Sequence, residues 1–270
     1  FMPVKFHPNN PVNSLETIIT KEDGSPLHGE IDIYRQLWTD LTNSSLDWDV
    51  WHDLKLPEHS DNFNYYKKTS SQIDFLILCK YGLVLEVKGG SISTKDNTFF
   101  YGKNFETPIK QNPFKQAEGY KYTLKDNILN NLKGCFFCEA TAFPHVNYPF
   151  ESKLIDKKLL WTSFIAKEYD GSIEKFLLNV FEHSKNKHKK HFRNYDEISQ
   201  KEYVAIKKIL SPIIGDRNQI NTINTLEWLG IQNIEILDGL YKNPRIMIEG
   251  PPGCGKTTIG MEFTCAGTIF

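Results

Sequence analysis

The stretch "QIDFLILCKYGLVLEVKGG", residues 72–90, constrains the fold of this chain more than any other. Two short apolar runs flank Lys80, Tyr81 and Gly82, and nearly every position in both runs is apolar. Each run is too short for a buried helix, and a half-exposed strand would alternate instead. The pair therefore reads as a β-hairpin at the centre of a sheet covered on both faces. With Lys80-Tyr81-Gly82 as a three-residue loop and Gly82 in the left-handed position, Asp74 is expected opposite Lys88. Glu86 and Lys88 lie two apart, so both leave their strand by the same face. Asp74, Glu86 and Lys88 are thus expected to cluster at the open end of the hairpin. An acid pair there repels itself unless something positive intervenes, and a divalent cation is the natural solution because hard cations take carboxylate oxygens.

The rest of the first half supplies layers for such a sheet. Residues 29–42, "GEIDIYRQLWTDLT", carry Ile31, Tyr34, Trp38 and Leu41 on one helical stripe. "WDVWHDLKL" alternates as a strand, with Trp48, Val50, His52 and Leu54 against Asp49, Trp51 and Asp53. Asn62 to Ser71 is polar and reads as a loop. A short strand is expected over 98–103, a helix over 112–132 opened by Asn112-Pro113, and strands over "CFFCEATAFP" and 159–166. Helical patterns dominate from Gly171 onward. The order helix, strand, strand, strand, helix, strand is that of a mixed α/β domain.

Two further features join the charged cluster. Gln116 and Tyr120 stand four apart in "QAEGY", hence on one helical face, and Glu30 opens the first helix. Together these residues resemble the PD-(D/E)XK nuclease superfamily, and more closely its nuclease-related (NERD) domain, over roughly residues 25–150. The metal-binding acid before the hairpin turn is matched by Asp74, and the E-x-K motif by Glu86, Val87 and Lys88. The first-helix glutamate is matched by Glu30, and the Q-x-x-x-Y pair by Gln116 and Tyr120. One departure is Ile73, where the family pattern has proline. The resemblance implies a restriction-endonuclease-like mixed sheet flanked by helices. It also implies Mg2+ or Mn2+ bound by Asp74, Glu86 and the Val87 carbonyl, with Lys88 positioning or activating water, Glu30 and Gln116 in support, and nucleic acid, expected to be DNA, as substrate.

Charge limits how such a substrate is held. A formal net charge of −1 argues against binding by bulk electrostatics. Positive charge nevertheless gathers in "HSKNKHKKHFR", where Lys185, Lys187, Lys189, Lys190 and Arg193 read either as a solvated loop or as a phosphate-contacting arm. The five cysteines include one C-x-x-C, Cys135 and Cys138, with no second ligand pair at zinc spacing, so buried thiols in a reducing cytosol are expected. No apolar stretch approaches bilayer length and no signal-peptide pattern opens the chain, so no membrane partner and a cytoplasmic location are expected.

Near the C-terminus "GPPGCGKT" fits G-x-x-x-x-G-K-[ST] completely, following the strand "RIMIE" and opening a helix. Backbone N–H groups of Gly250, Gly253, Cys254 and Gly255 would cradle phosphates. Pro251 and Pro252 shape the loop, Lys256 reaches the β/γ-phosphates, and Thr257, followed by Thr258, can hold Mg2+. The segment resembles the opening of a superfamily 1 helicase motor, a RecA-like unit, with Gln232 about where that family reads adenine. No acidic strand follows before Phe270, so ATP binding is expected to be weak or absent here, and a longer parent carrying the motor is expected. Such fusions resemble bacterial nuclease–helicase proteins, some of which act in defence against phage.

The expected organisation is a nuclease domain over 1–185, a basic helical linker over 186–225 and the first strand–loop–helix of a motor over 226–270. Two rival readings remain open at this point. One is a non-catalytic nucleic-acid-binding module and the other a nucleotide-sensing switch; cleavage with and without Mn2+ and nucleotide binding separate them. Oligomeric state has no signature in the sequence.

Overall fold

The computed structural model describes residues 4–21, 23–56, 72–96, 98–132, 134–149, 155–189 and 197–214. The chain divides into two compact units, Phe1–Gly215 and Asp216–Phe270. The polar loop read over 62–71, Gln232, the phosphate loop and the motor segment all lie outside the described residues.

The first unit is built on a six-stranded mixed sheet. Its strands are β1 (Val4–His7), β2 (Trp48–Lys55), β3 (Gln72–Leu78), β4 (Gly82–Val87), β8 (Phe137–Phe143) and β9 (Leu160–Thr162), in that spatial order. The two pairings β2–β3 and β3–β4 are antiparallel, and β1–β2, β4–β8 and β8–β9 are parallel. A second, three-stranded antiparallel sheet comprises β5 (Ile92–Lys95), β6 (Thr98–Tyr101) and β7 (Thr107–Pro108). The helices are α1 (Leu15–Ile18), α2 (His28–Thr42), α3 (Pro113–Thr123), α4 (Ile173–Lys189) and α5 (Gln200–Ile214).

Both faces of the central hairpin are covered, as its sequence requires. On one face Phe75, Ile77, Leu83 and Leu85 pack with Ile31, Ile33 and Leu37 of α2 and Phe176 and Leu177 of α4. On the other, Leu76, Leu78 and Val84 meet Ala117 of α3 and Ile206 and Leu210 of α5. The result is a helix–sheet–helix sandwich, compatible with a nuclease fold. The stretch read as linker thus contributes α5 to the core. The basic stretch begins inside a helix, because α4 continues to Lys189.

The hairpin register differs from the expected one. Leu78 pairs with Gly82 and Phe75 with Leu85, so the loop is Cys79-Lys80-Tyr81 and Gly82 already belongs to β4. Gly82 is glycine for space: a Cβ there would lie 2.1 Å from the Phe137 ring. Continuing the register places Asp74 across from Glu86, not Lys88.

A second departure occurs in β2. Trp48 and Val50 belong to one core and Leu54 to the other, although simple alternation puts them on one face. Asp53 lies between them with a left-handed φ of 59°, and Ile73, the partner of Leu54 in β3, changes core with it. The helix expected over 112–132 ends its regular turns at Thr123 and continues as a π turn over Leu124–Ile128. Cys135 and Cys138 are buried in different cores, on opposite sides of the sheet, so the C-x-x-C thiols do not converge.

Candidate active site

Asp74 stands where the β3–β4 ladder stops. The last backbone pair is Phe75 with Leu85, and beyond it the Asp74 carboxylate takes over, Oδ2 accepting from the Val87 N–H at 2.7 Å. Lys88 Nζ donates to Glu86 Oε1. The other oxygen, Glu86 Oε2, is fully buried with no hydrogen-bond partner. Directly across in β8 stands Thr141, whose buried Oγ1 is likewise unpartnered. Parallel neighbours in register share a face, so both orphaned polar groups leave the sheet on the same side, one of them belonging to the acid pair itself. Native interiors rarely leave such groups unmet unless water, an ion or a ligand serves them.

The electrostatics agree. Burial above all, then the Glu86 and Glu30 charges, pushes the Asp74 carboxyl well above the usual carboxylate range. Glu86 is raised too, chiefly by burial, against the pull of Lys88. For Lys88 burial opposes the charge, but Glu86 and Asp74 together outweigh it and keep the ammonium firmly protonated. One positive side chain therefore faces several acids, and the site is short of positive charge.

Glu30 reaches the site from the first turn of α2. Its carboxylate pairs with His52 at 2.9 Å, and its charge is still felt by both Asp74 and Glu86. From the opposite layer α3 is held down by Lys121, which is buried and paired with Glu139 of β8 at 2.6 Å. On its adjoining face Gln116 Nε2 donates to Tyr120 Oη at 3.0 Å. Burial first, then the Glu86 and Asp74 charges, raises the Tyr120 phenol, which places that hydroxyl in the field of the acids. All six side chains expected to do chemistry are thus gathered at one end of the sheet.

The mouth is a cleft of about 580 Å3 lined by Glu30, Asp74, Lys88, Tyr101 and His145 among others. His145 is braced on both sides: Nδ1 accepts from the Gly90 N–H at 2.7 Å and Nε2 meets Asp32 of α2 at 2.9 Å. The backbones of Gly29 and Gly89 pass so closely that a Cβ on Gly29 would lie 2.6 Å from the Gly89 Cα. These contacts bring the start of α2, and with it Glu30, against the turn that follows Lys88. Sequence reading missed His52, Thr141, His145 and Tyr101. Only His52 carried a signal, as the one ionisable residue among the large apolar ones on its face of β2.

The remaining expected residues are elsewhere or outside the described set. Lys185 donates to Tyr81 Oη at 2.6 Å, at the turn end of the hairpin, and Lys187 lies 3.7 Å from Asp156. Six residues of β4 separate that end from Lys88, so Lys185 and the acids are roughly 20 Å apart along the sheet. Among the described residues no three His, Cys, Asp or Glu side chains converge as a ready metal cage. The donor set still fits a hard cation. Asp74 keeps one oxygen free of the Val87 N–H and Glu86 has its orphaned Oε2, leaving backbone and water to complete a shell. Among the described residues no helix is long and apolar enough to cross a membrane.

Residues 25–144 match the nuclease-related domain (NERD) family. That span contains Glu30, Asp74, Glu86, Lys88, Gln116, Tyr120 and Thr141. No curated protein and no solved structure matches the chain. The matched stretch, less than half of the chain, lies within the first unit and suggests a nuclease-related function there.

Proposed function

We propose that the chain is a metal-dependent nuclease that hydrolyses phosphodiester bonds, with DNA the expected substrate. The observation that carries this reading is the pair of orphaned atoms, Glu86 Oε2 and Thr141 Oγ1, buried at an acid pair that only one lysine offsets. A Mg2+ or Mn2+ ion held by Asp74, Glu86 and the Val87 carbonyl would supply the missing charge, acidify a water and neutralise a phosphoryl oxygen. Lys88, kept as an ammonium, orients the attacking water and donates towards the developing charge. Its hold on Glu86 Oε1 also fixes which carboxylate oxygen faces inward. Glu30 is aimed by His52 and accepts a proton or a hydrogen bond at the edge of the site. Tyr120 accepts from Gln116, so its own O–H remains available as a donor.

The test is digestion of labelled linear and circular DNA, and of RNA, in Mg2+, Mn2+ or chelator. Metal-dependent cleavage by the wild type, absent in Lys88→Ala protein that melts normally, is the expected result. Undiminished cleavage by that variant would sink the assignment. For residues 226–270 we propose a phosphate loop, Gly250 to Thr257, that meets ATP through Lys256 and couples the nuclease to a helicase motor. Calorimetry with ATP tests it: binding by this chain is expected to be weak at best and lost in Lys256→Ala, and tight binding that survives Lys256→Ala would remove the loop from the reading.

A further inference from the structure

The three-stranded sheet β5–β7 leaves the site directly after Lys88 and is anchored to the main body by one side. Ile92 and Phe99 are buried in a core with Phe143 and Val146, and the Phe99 ring lies tilted against Phe114, centroids 5.9 Å apart. Its turn does the opposite. Tyr101 is 39% exposed and Phe105 42%, and among the described residues only one other aromatic, Tyr122, is comparably bare. Two of those three aromatics fall within five residues at one turn, Tyr101 towards the cleft and Phe105 against Phe100.

The turn is closed by hydrogen bonds and its display is costly. It is tied by Gly102 N–H to Ser91 O at 2.8 Å, by Ser93 Oγ to Gly102 O at 2.6 Å, and by Glu106 N–H to Tyr101 O at 3.2 Å. Phe105 holds a left-handed φ of 58°, which a bulky side chain rarely adopts. Strain of this kind persists where the surroundings impose it, and it concentrates at functional sites. Here it presents a ring to solvent, supported edge-on by Phe100 at 5.6 Å and approached by Lys95 Nζ at 5.8 Å. At the other end of the turn Tyr101 lines the cleft with Lys88 and Asp74.

We propose that this turn is a stacking platform for unpaired bases, which makes a single-stranded nucleic acid the ligand of the cleft. Every base has a face to stack on an aromatic ring, but a duplex hides those faces except at its ends. Charge complementarity points the same way. Residues 91–110 carry Lys95, Lys103 and Lys110 against Asp96 and Glu106, a surplus of one in a chain whose net charge is −1. A chain with so little net charge gains its affinity from stacking more than from phosphate contacts. The choice of a single strand as substrate rests on the nuclease reading, but the platform itself does not.

The measurement is fluorescence anisotropy of a short labelled DNA strand, its RNA counterpart and the blunt duplex, with the full chain in chelator so that no cleavage intervenes. The single strands are expected to bind more tightly than the duplex, with a shallow salt dependence. Tyr101→Ala and Phe105→Asn should each weaken single-strand binding about 5- to 150-fold, as loss of one stacked base does. Asparagine tolerates the left-handed backbone, so Phe105→Asn removes the ring without adding strain, and Phe105→Tyr should keep wild-type affinity. Unchanged affinity in the Tyr101→Ala/Phe105→Asn double variant, or a preference for duplex, would overturn the platform. Single-strand binding lost on these substitutions, in a protein that cuts nothing in any metal, would leave the platform standing and defeat the nuclease reading alone.

Discussion

Asp49 on β2 and Asp74 on β3 are aspartates of the same sheet, four residues apart in the β2–β3 register, and their surroundings could hardly differ more. Asp49 accepts from Tyr203 Oη at 2.5 Å and lies 3.0 Å from Lys207 Nζ and 2.6 Å from His7 Nε2. Burial alone would raise its carboxyl, but those three donors outweigh burial and hold it below the usual range. Asp74 has one neutral donor, the Val87 N–H, and two acidic neighbours; burial leads and the acids add to it, so it is raised. One end of the sheet spends its polar groups on each other, clamping α5 and β1 to β2. The other end pairs Glu30 with His52 and Glu86 Oε1 with Lys88 but leaves Glu86 Oε2 and Thr141 Oγ1 unmet. Where a fold satisfies a buried acid the acid is structural; where it gathers acids that repel one another, as at Asp74 and Glu86, it marks a candidate functional site.

Removing the satisfied acid is expected to have the largest effect. Asp49→Ala strands His7, Tyr203 and Lys207 around a hole and should cost about 3–5 kcal/mol in urea denaturation, in line with other half-broken buried ion pairs. Cleavage per folded molecule should not change. A loss under about 1 kcal/mol would show that Asp49 is a bystander, like most exposed pairs.

The frustrated acid should respond with the opposite sign. Asn at position 74 can still accept from the Val87 N–H but no longer repels Glu86 and Glu30. Asp74→Asn is therefore expected to stabilise the metal-free protein by about 1–2 kcal/mol while abolishing cleavage and lowering Mn2+ affinity in calorimetry. Destabilisation would mean that Asp74 is held by partners other than those described.

The two ends should also separate on the pH axis. The Asp49 carboxyl is depressed in the fold, so its stabilisation is present above the unfolded value, near 4, and is lost as pH falls through the folded value. For Asp74 and Glu86 the folded values are raised. Stability on their account is full below the unfolded value and is lost as pH rises through the folded ones. In chelator, thermal melts should therefore decline in acid because of Asp49 and decline again on the alkaline side because of the acid pair. Mn2+ or Asp74→Asn should flatten only the second decline. A profile in which Asp49→Asn flattened both would erase the distinction.

Much of this contrast could be read before any fold was known, and the unreadable part has a physical cause. Asp74, Glu86 and Lys88 stood out because each interrupts an apolar run, and Gln116 with Tyr120 because a four-residue spacing fixes a helical face. The exact pairing escaped because Gly82 offers two explanations, a left-handed turn or room for a neighbour, and only the Phe137 ring decides between them. The change of core in β2 falls at Asp53, whose backbone angle no periodicity announces. The strands β1, β5 and β7 span four, four and two residues, too short for alternation to register. Asp49 looked like the polar side of an alternating strand until α5 arrived from more than 150 positions later to bury it. Thr141 lay unremarked in "CEATAF", since an orphaned hydroxyl is a property of burial and not of sequence.

Thr141 gives the smallest and sharpest test of what the open end is for. Its hydroxyl lies across from Glu86 in register, is fully buried, and meets no acceptor or donor. Were it merely a packing residue, Thr141→Val would keep the shape, remove an unsatisfied group and stabilise the protein by up to about 1 kcal/mol with no other consequence. Were the hydroxyl there to hold a water or an ion against Glu86 Oε2, the same gain in stability would come with weaker Mn2+ binding and slower turnover at saturating substrate, KM staying near its wild-type value. Thr141→Ser keeps the hydroxyl and should recover both metal affinity and rate, at a small packing cost from the lost methyl. We expect this second pattern, read by calorimetry and by single-turnover cleavage. A Thr141→Val protein that is more stable and binds and cuts like the wild type would return Thr141 to the core and leave Glu86 Oε2 alone at the centre of the site.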